Sequence, residues 1–171
     1  NAVTAPNLAS LMFYVEEGAG ANNRTALLSG DGHGDDIIKG LKHHQKLKNG
    51  GIHVDVLKVQ HHGSENNLDL DFCKSVTADN YIFCGNGAHK NPDTGVIDAI
   101  LASRMGAADE VSPNAEAGNA FKFWFNSSED ESENGDNSAH MKKVEAHVDA
   151  RTNGQFKARF LRGASKFVVE V

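Results

Sequence analysis

The chain has 171 residues, of which 39% are hydrophobic and 7% aromatic, and its formal net charge at pH 7 is −6. This composition is typical of a globular protein and excludes an intrinsically disordered chain, and the acidic balance disfavours a broad nucleic-acid-binding face. The sequence contains no run of ~18 apolar residues, so it predicts no transmembrane helix. The N-terminus lacks the basic-then-apolar pattern of a signal peptide. We therefore expect no membrane segment in this chain. The absence of these signals does not decide the compartment, and we take a cytoplasmic location as the default expectation.

Apolar runs separated by turns rich in Gly and Asn divide the first hundred residues into alternating strands and helices. The predicted order is strand 10–16, strand 24–29, helix 35–47, strand 54–60, helix 68–76, strand 81–84 and helix 91–104. The strands are apolar nearly throughout, which is typical of a sheet that is covered on both faces. This pattern predicts an α/β layered sandwich with its functional residues on the loops at the carboxyl ends of the strands.

The pattern changes after residue 105, so we divide the chain into a lobe over 3–105 and an appendage over 106–171. Within the appendage the sequence predicts strands at 121–125, 142–149, 155–161 and 165–171. Asn153-Gly154 is a strong hairpin signal, so we predict these strands to be antiparallel. The segment 126–139 is acidic and rich in Ser and Asn, which predicts a mobile loop.

The two cysteines, Cys73 and Cys84, fall on the predicted helix 68–76 and the predicted strand 81–84. They lack the Cys-x-x-Cys spacing of a zinc or redox motif, so a thiol-based redox function has no motif to support it. Free cysteine is often simply a small core residue. We therefore predict two buried free thiols rather than a disulfide.

Chemically versatile side chains follow two of the predicted strands directly. Asp31 lies between glycines after strand 24–29, and His61-His62 follows strand 54–60. An aspartate of this kind is on its own more often a turn or helix-cap residue, and a histidine pair is often a solvated loop. Together, a carboxylate and a neutral imidazole at one edge of a sheet make half of a metal site.

The order of these motifs resembles a known family. Gly30-Asp31, then a helix, then a strand that ends in Leu-Lys-Val-Gln-His-His-Gly-Ser at residues 57–64 is similar to the second half of the metallo-β-lactamase fold. The resemblance is strongest to hydrolases similar to the C-terminal domain of ComEC-type DNA-uptake (competence) proteins, and it runs from about residue 7 to about residue 104. The family's first ligand cluster, His-x-His-x-Asp-His, is absent from the sequence. We therefore expect the chain to be the C-terminal half of a larger protein.

The resemblance implies a role for each candidate residue. Asp31 would bridge two divalent metal ions, with zinc preferred and manganese as the alternative, and His61 would be a second ligand. We favour His61 over His62 because His61 leaves the strand directly and side chains alternate along a strand.

The remaining candidates would contact the substrate. His62 and Ser64 would face it, and Asn86 and His89 would contact a phosphate or carboxylate group, with Lys90 adding charge stabilisation. The family's loop ends in His-Pro, whereas here Lys90 and Asn91 separate His89 from Pro92, which weakens the correspondence for His89.

Two classes of function follow from these expectations. In the first, the intact protein is a metal-dependent hydrolase of phosphodiester or related ester bonds, including those of nucleic acids, and the missing N-terminal half supplies the other ligands. The isolated chain is then expected to be inactive and to hold metal weakly or not at all. In the second, the chain is a non-catalytic structural or interaction module on a degenerate form of the same fold.

The strands predicted for the lobe are apolar on both faces, so helices can cover only one of them. We expect the appendage, around 121–125 and 142–161, to fold over most of the other face, because Phe121, Phe123 and Phe125 alternate as one face of a strand should. A homodimer or a bound N-terminal fragment of the same protein is the alternative, because large exposed apolar patches are uncommon on monomers.

Overall fold

The computed structural model describes residues 9–132, 134–163 and 166–171. Within these residues the strands are β1 (Phe13–Glu17), β2 (Arg24–Leu28), β3 (Ile52–Lys58), β4 (Val76–Phe83), β5 (Phe121–Phe125) and β6 (Phe156–Phe160). The helices are α1 (Gly34–His43), α2 (Leu70–Ser75), α3 (Thr94–Met105) and α4 (Gly135–Asp149). The prediction of a mixed α/β fold is confirmed.

All six strands belong to one sheet, in the order β1-β2-β3-β4-β5-β6. Strand β1 is antiparallel to β2, and each later pair is parallel. Every crossover from β2 to β6 therefore steps in the same direction across the sheet. Because such crossovers are almost always right-handed, the four helices lie on the same face of the sheet.

The core lies between that face and the helices, and aromatic rings dominate it. Tyr81, Phe123 and Ala158 are aligned across β4, β5 and β6. The rings of Phe83 and Phe125 are stacked with centroids 4.6 Å apart, and those of Phe125 and Phe160 with centroids 4.4 Å apart. Buried side chains of all four helices join the same cluster, and each fully buried large apolar side chain contributes about 1.5–3 kcal/mol.

The prediction of an antiparallel appendage after residue 105 is wrong, because β5 and β6 are parallel strands of the same sheet. Residues 142–149 are not a strand but belong to α4, whose buried Met141, Val144 and Val148 recur at helical spacing. Helix α4 is the crossover that parallel strands require, and it allows β5 and β6 to extend the sheet in parallel.

The ends of the predicted appendage differ as well. The Asn153-Gly154 pair does not join two antiparallel strands, because α4 precedes it and β6 pairs in parallel with β5. The Asn153 side chain accepts hydrogen bonds from the backbone N–H groups of Gln155 and Phe156, where β6 begins. Residues 166–171 have no regular secondary structure, and residue 165 lies outside the described residues. The predicted loop 126–139 is helical from Gly135 onward, and residue 133 lies outside the described residues.

Both cysteines are free thiols, as predicted. Cys73 is buried in α2, and burial raises the pKa of its thiol well above the ordinary value. Cys84 directly follows β4 and is half-buried.

The face of the sheet opposite the helices keeps apolar side chains in contact with solvent. Phe13, Val15 and Leu28 are 53%, 45% and 41% exposed. The expectation that the appendage would cover this face through Phe121, Phe123 and Phe125 is wrong, because these side chains of β5 point into the core beneath the helices. On the same face, Phe167 packs on Trp124 of β5 with ring centroids 5.3 Å apart. In the part of the chain that the structure describes, no helix has the length and apolar character needed to cross a bilayer.

Candidate functional site

The carboxyl ends of the parallel strands meet at one edge of the sheet, where the loops after β3, β4 and β5 surround a cleft of about 810 Å³. Five of the six predicted site residues line this cleft: His61, His62, Ser64, Asn86 and His89. The sixth, Asp31, follows β2 and is not among the lining residues. The structure therefore gathers His61 and the four residues predicted to contact substrate at one cleft and leaves Asp31 outside its lining.

The turn after β3 has an unusual backbone. His61 and His62 have φ values of 43° and 58°, and Gly63 has a φ of 86°. The turn is fixed on both sides, because the His61 N–H donates to Gly30 O over 3.1 Å and the Asp93 N–H donates to Gly63 O over 2.8 Å. His61 therefore does not continue the strand, and the alternation of side chains along a strand does not distinguish it from His62.

Glycine is required at position 63 for two reasons. Its positive φ is costly for residues with a side chain. A Cβ atom there would also lie 2.8 Å from the Cβ of Pro92.

The imidazole of His61 is held by Asn67, which is buried. His61 Nδ1 lies 2.6 Å from Asn67 Oδ1, while Asn67 Nδ2 donates to the main-chain O of Asp31 over 3.0 Å. Because the amide nitrogen is used as a donor to Asp31, the amide oxygen is the acceptor and His61 Nδ1 carries the proton, an assignment that follows from the hydrogen-bond network. A neutral ring in this tautomer has its lone pair on Nε2.

His62 has the same tautomer for a different reason. Its Nδ1–H donates to the main-chain O of Cys84 over 2.7 Å. The two rings lie with centroids 6.0 Å apart. An Nδ1–H group donated to an oxygen is the usual support for a histidine whose Nε2 binds a metal or accepts a proton.

Asp31 is paired with a lysine. Its Oδ1 lies 3.8 Å from Lys58 Nζ, which donates to Gly30 O over 2.7 Å. Burial lowers the pKa of Lys58, and the charge of Asp31 opposes this shift. Lys58 thus places a half-buried cation next to the carboxylate proposed as a metal ligand.

The loop after β4 forms the opposite wall of the cleft. His89 and Lys90 have φ values of 55° and 61°, and the Asn86 side chain accepts from Ala88 N–H over 3.2 Å. Ser64, on the first wall, is buried and accepts from the N–H of Asn66 over 3.4 Å, so it caps its own turn.

The C-terminal third of the chain supports this loop. Ser132 Oγ donates to Asn86 O over 3.1 Å, and His140 Nε2 lies 3.0 Å from Pro92 O. The backbone of Gly87 approaches that of Asn137 too closely to admit a side chain.

Sequence reasoning missed the residues that hold the site, namely Asn67, Lys58, Ser132 and His140. Asn67 follows the histidine pair by a few residues, which is a signal that could have marked it. Ser132 and His140 carry no such signal, because the sequence does not show that their segment meets the loop after β4.

The donor set fits a metal site only in part. The described residues contain no group of three or more His, Cys, Asp or Glu side chains close enough to hold a metal ion. Asp31 and His61 offer one carboxylate and one imidazole, whereas a catalytic zinc site commonly has three protein ligands. No family model matches the chain, and comparison with curated proteins and with solved structures finds no match either.

Proposed function

We propose that this chain supplies part of the active site of a metal-dependent hydrolase of the metallo-β-lactamase type, acting on phosphodiester or related ester bonds. One observation carries the proposal. Asp31 and His61 follow neighbouring parallel strands, β2 and β3. Asn67 joins them, since its side chain contacts the His61 imidazole and the main-chain O of Asp31, and this leaves the His61 lone pair on Nε2. Under this proposal, a His-x-His-x-Asp-His motif outside residues 1–171 would supply the remaining ligands.

In this proposal, Asp31 and His61 would hold divalent metal ions, which would supply an activated water for attack and polarise the attacked centre. His62, Ser64, Asn86 and His89 line the cleft that takes the substrate. Lys90, exposed on the wall of the same cleft, offers a positive charge to an anionic substrate group.

A second candidate function is a non-catalytic interaction module. It is favoured by the ion pair of Lys58 with Asp31, whose Nζ and Oδ1 atoms lie 3.8 Å apart, because a lysine beside the carboxylate competes with a metal ion for it. The solvent-exposed apolar side chains of Phe13, Val15 and Leu28 also suit a protein interface.

Metal analysis and activity of the full natural protein that contains this chain separate the two candidates. The hydrolase requires stoichiometric zinc or manganese and activity on a generic phosphodiester such as bis-p-nitrophenyl phosphate. Asp31→Ala and His61→Ala should each lower the rate by more than about 100-fold, beyond the 10–100-fold typical of residues that only support ligands. His43→Ala and Asp35→Ala are matched controls, because both side chains are exposed on α1.

Two outcomes would contradict the hydrolase. One is a wild-type rate in Asp31→Ala, and the other is a full natural protein without bound metal. This chain alone should bind zinc only weakly by calorimetry, since it supplies two ligands where about three are needed. Tight stoichiometric binding to the chain alone would show that the assigned ligand set is incomplete.

A further inference from the structure

Asn67 occupies a central place between the two loops that carry Asp31 and His61. Its side chain reaches His61 Nδ1 at 2.6 Å and the main-chain oxygens of Asp31 and Gly32 at 3.0 Å and 3.5 Å. Its own carbonyl accepts from the N–H of Gly34 over 2.9 Å, at the start of α1. The residue is 2% exposed, so these bonds form away from competing water.

We infer that Asn67 is a positioning residue, which fixes the tautomer and orientation of the His61 imidazole and couples it to the turn of Asp31. The inference deepens the proposed function and rests on it for its catalytic meaning. Its structural content, the tautomer of His61, is independent of any metal.

The amide is suited to this place because it presents a donor and an acceptor on opposite sides of one rigid group. Rotating it by half a turn would set its oxygen against the carbonyls of Asp31 and Gly32 and remove the donor that both share. An aspartate would keep the acceptor for His61 and lose the donor, and a leucine of similar volume would lose both. These two substitutions therefore separate the two halves of the interaction.

His62 provides an internal control within the same turn. Its Nδ1 partner is the main-chain carbonyl of Cys84, which no substitution at position 67 removes. A change confined to His61 thus reports on Asn67, whereas a change in both rings reports on distortion of the turn.

The test is long-range ¹H–¹⁵N NMR of the ¹⁵N-histidine-labelled chain at a pH where the imidazoles are neutral. Histidine in water favours the Nε2–H tautomer, so an Nδ1–H signature at His61 requires an acceptor at Nδ1. We expect this signature in the wild type and in Asn67→Asp. In Asn67→Leu we expect His61 to move to the Nε2–H form while His62 keeps its Nδ1–H form.

An Nε2–H signature at His61 in the wild type would overturn the inference, and this measurement needs no variant to fold. An unchanged His61 signature in folded Asn67→Leu would overturn it as well. In the full natural protein, Asn67→Leu should weaken zinc binding by about 10–100-fold. A full natural protein that shows the expected tautomers but binds no metal would contradict the proposed function alone.

Discussion

The buried guanidinium of Arg104 allows a quantitative test of the fold. Arg104 lies in the last turn of α3 and is 1% exposed. Its Nε donates to Ala117 O over 2.8 Å, its Nη2 donates to Asn119 O over 3.0 Å, and its Nη1 donates to Ala78 O. The guanidinium also lies 4.3 Å from the ring centroid of Phe121. Arg104 therefore ties β4 and the segment before β5 to the helix layer.

Replacing Arg104 with Met would remove the donors and keep much of the volume. A hydrogen bond to a charged group contributes about 1.5–3 kcal/mol, so three of them amount to roughly 4–9 kcal/mol before compensation. The substitution also removes the cost of burying a charge, which offsets part of this loss. We expect a net loss of about 3–5 kcal/mol in the free energy of unfolding.

The assay is urea unfolding followed by circular dichroism, together with a thermal melt. At about 2–4 °C per kcal/mol for a chain of this size, the melting temperature should fall by about 6–20 °C. Arg104→Lys should lie between the wild type and Arg104→Met, because it keeps the charge and loses the fork of donors. Arg151→Met is the matched control, since Arg151 pairs with Asp98 at the surface and should cost less than about 1 kcal/mol. A loss below about 1 kcal/mol for Arg104→Met would refute the reasoning.

Two further predictions concern the tyrosines and the uncovered face of the sheet. Burial raises the pKa of Tyr14 to about 12 and also raises the pKa of Tyr81. Above pH 10 the folded chain therefore keeps phenolic protons that the unfolded chain loses, so the free energy of unfolding should fall as the pH rises. Phenolate absorbance should then appear only above pH 10 or on unfolding, and a normal titration near pH 10 with intact circular dichroism would contradict this. Val15→Lys and Leu28→Lys should reduce self-association in sedimentation experiments with little loss of stability, because both side chains are more than 40% exposed. A wild-type chain that stays monomeric at high concentration would rule out homodimerisation through this face.

Much of the fold follows from apolar pattern and turn residues. Five of the six strands were predicted with the correct type and place, because each is a short apolar run bounded by Gly, Asn or polar residues. Strand β4 begins at Val76, earlier than predicted. The prediction missed its first residues because Asp79 and Asn80 interrupt the apolar run. Helix α4 was mistaken for a strand because Val144, Ala146 and Val148 alternate, and the helical spacing appears only when Met141 is included.

The site was less predictable than the fold. The sequence marks Asp31, His61 and His62 through their positions after strands, and the parallel sheet brings those strand ends to one edge. It does not show the contacts that fix their chemistry, such as the bond from His61 to Asn67 or the lysine beside Asp31. Such contacts depend on how loops from distant segments pack, which periodicity does not encode.

The cleft holds most of the backbone strain found in the described chain. Among the described residues, six other than glycine have positive φ: Gln45, Asn49, His61, His62, His89 and Lys90. The last four line the cleft, and at about 1–2 kcal/mol each they represent roughly 4–8 kcal/mol of unfavourable conformation. Strain that persists in one place suggests a functional role for the side chains that it presents.

Substitution by glycine tests that suggestion. Lys90→Gly should relieve about 1–2 kcal/mol of strain and lose about 0.5–1 kcal/mol to the greater freedom of glycine, which leaves a net gain of up to about 1.5 kcal/mol. Gln45→Gly, at a similar φ of 56°, should gain a similar amount. The two variants should differ in function, because Lys90 lies on the cleft wall and Gln45 does not. Under the proposed hydrolase function, phosphodiester hydrolysis should fall in Lys90→Gly and stay unchanged in Gln45→Gly. Equal activity in the two variants would show that the strain at Lys90 serves the fold of the loop rather than the site.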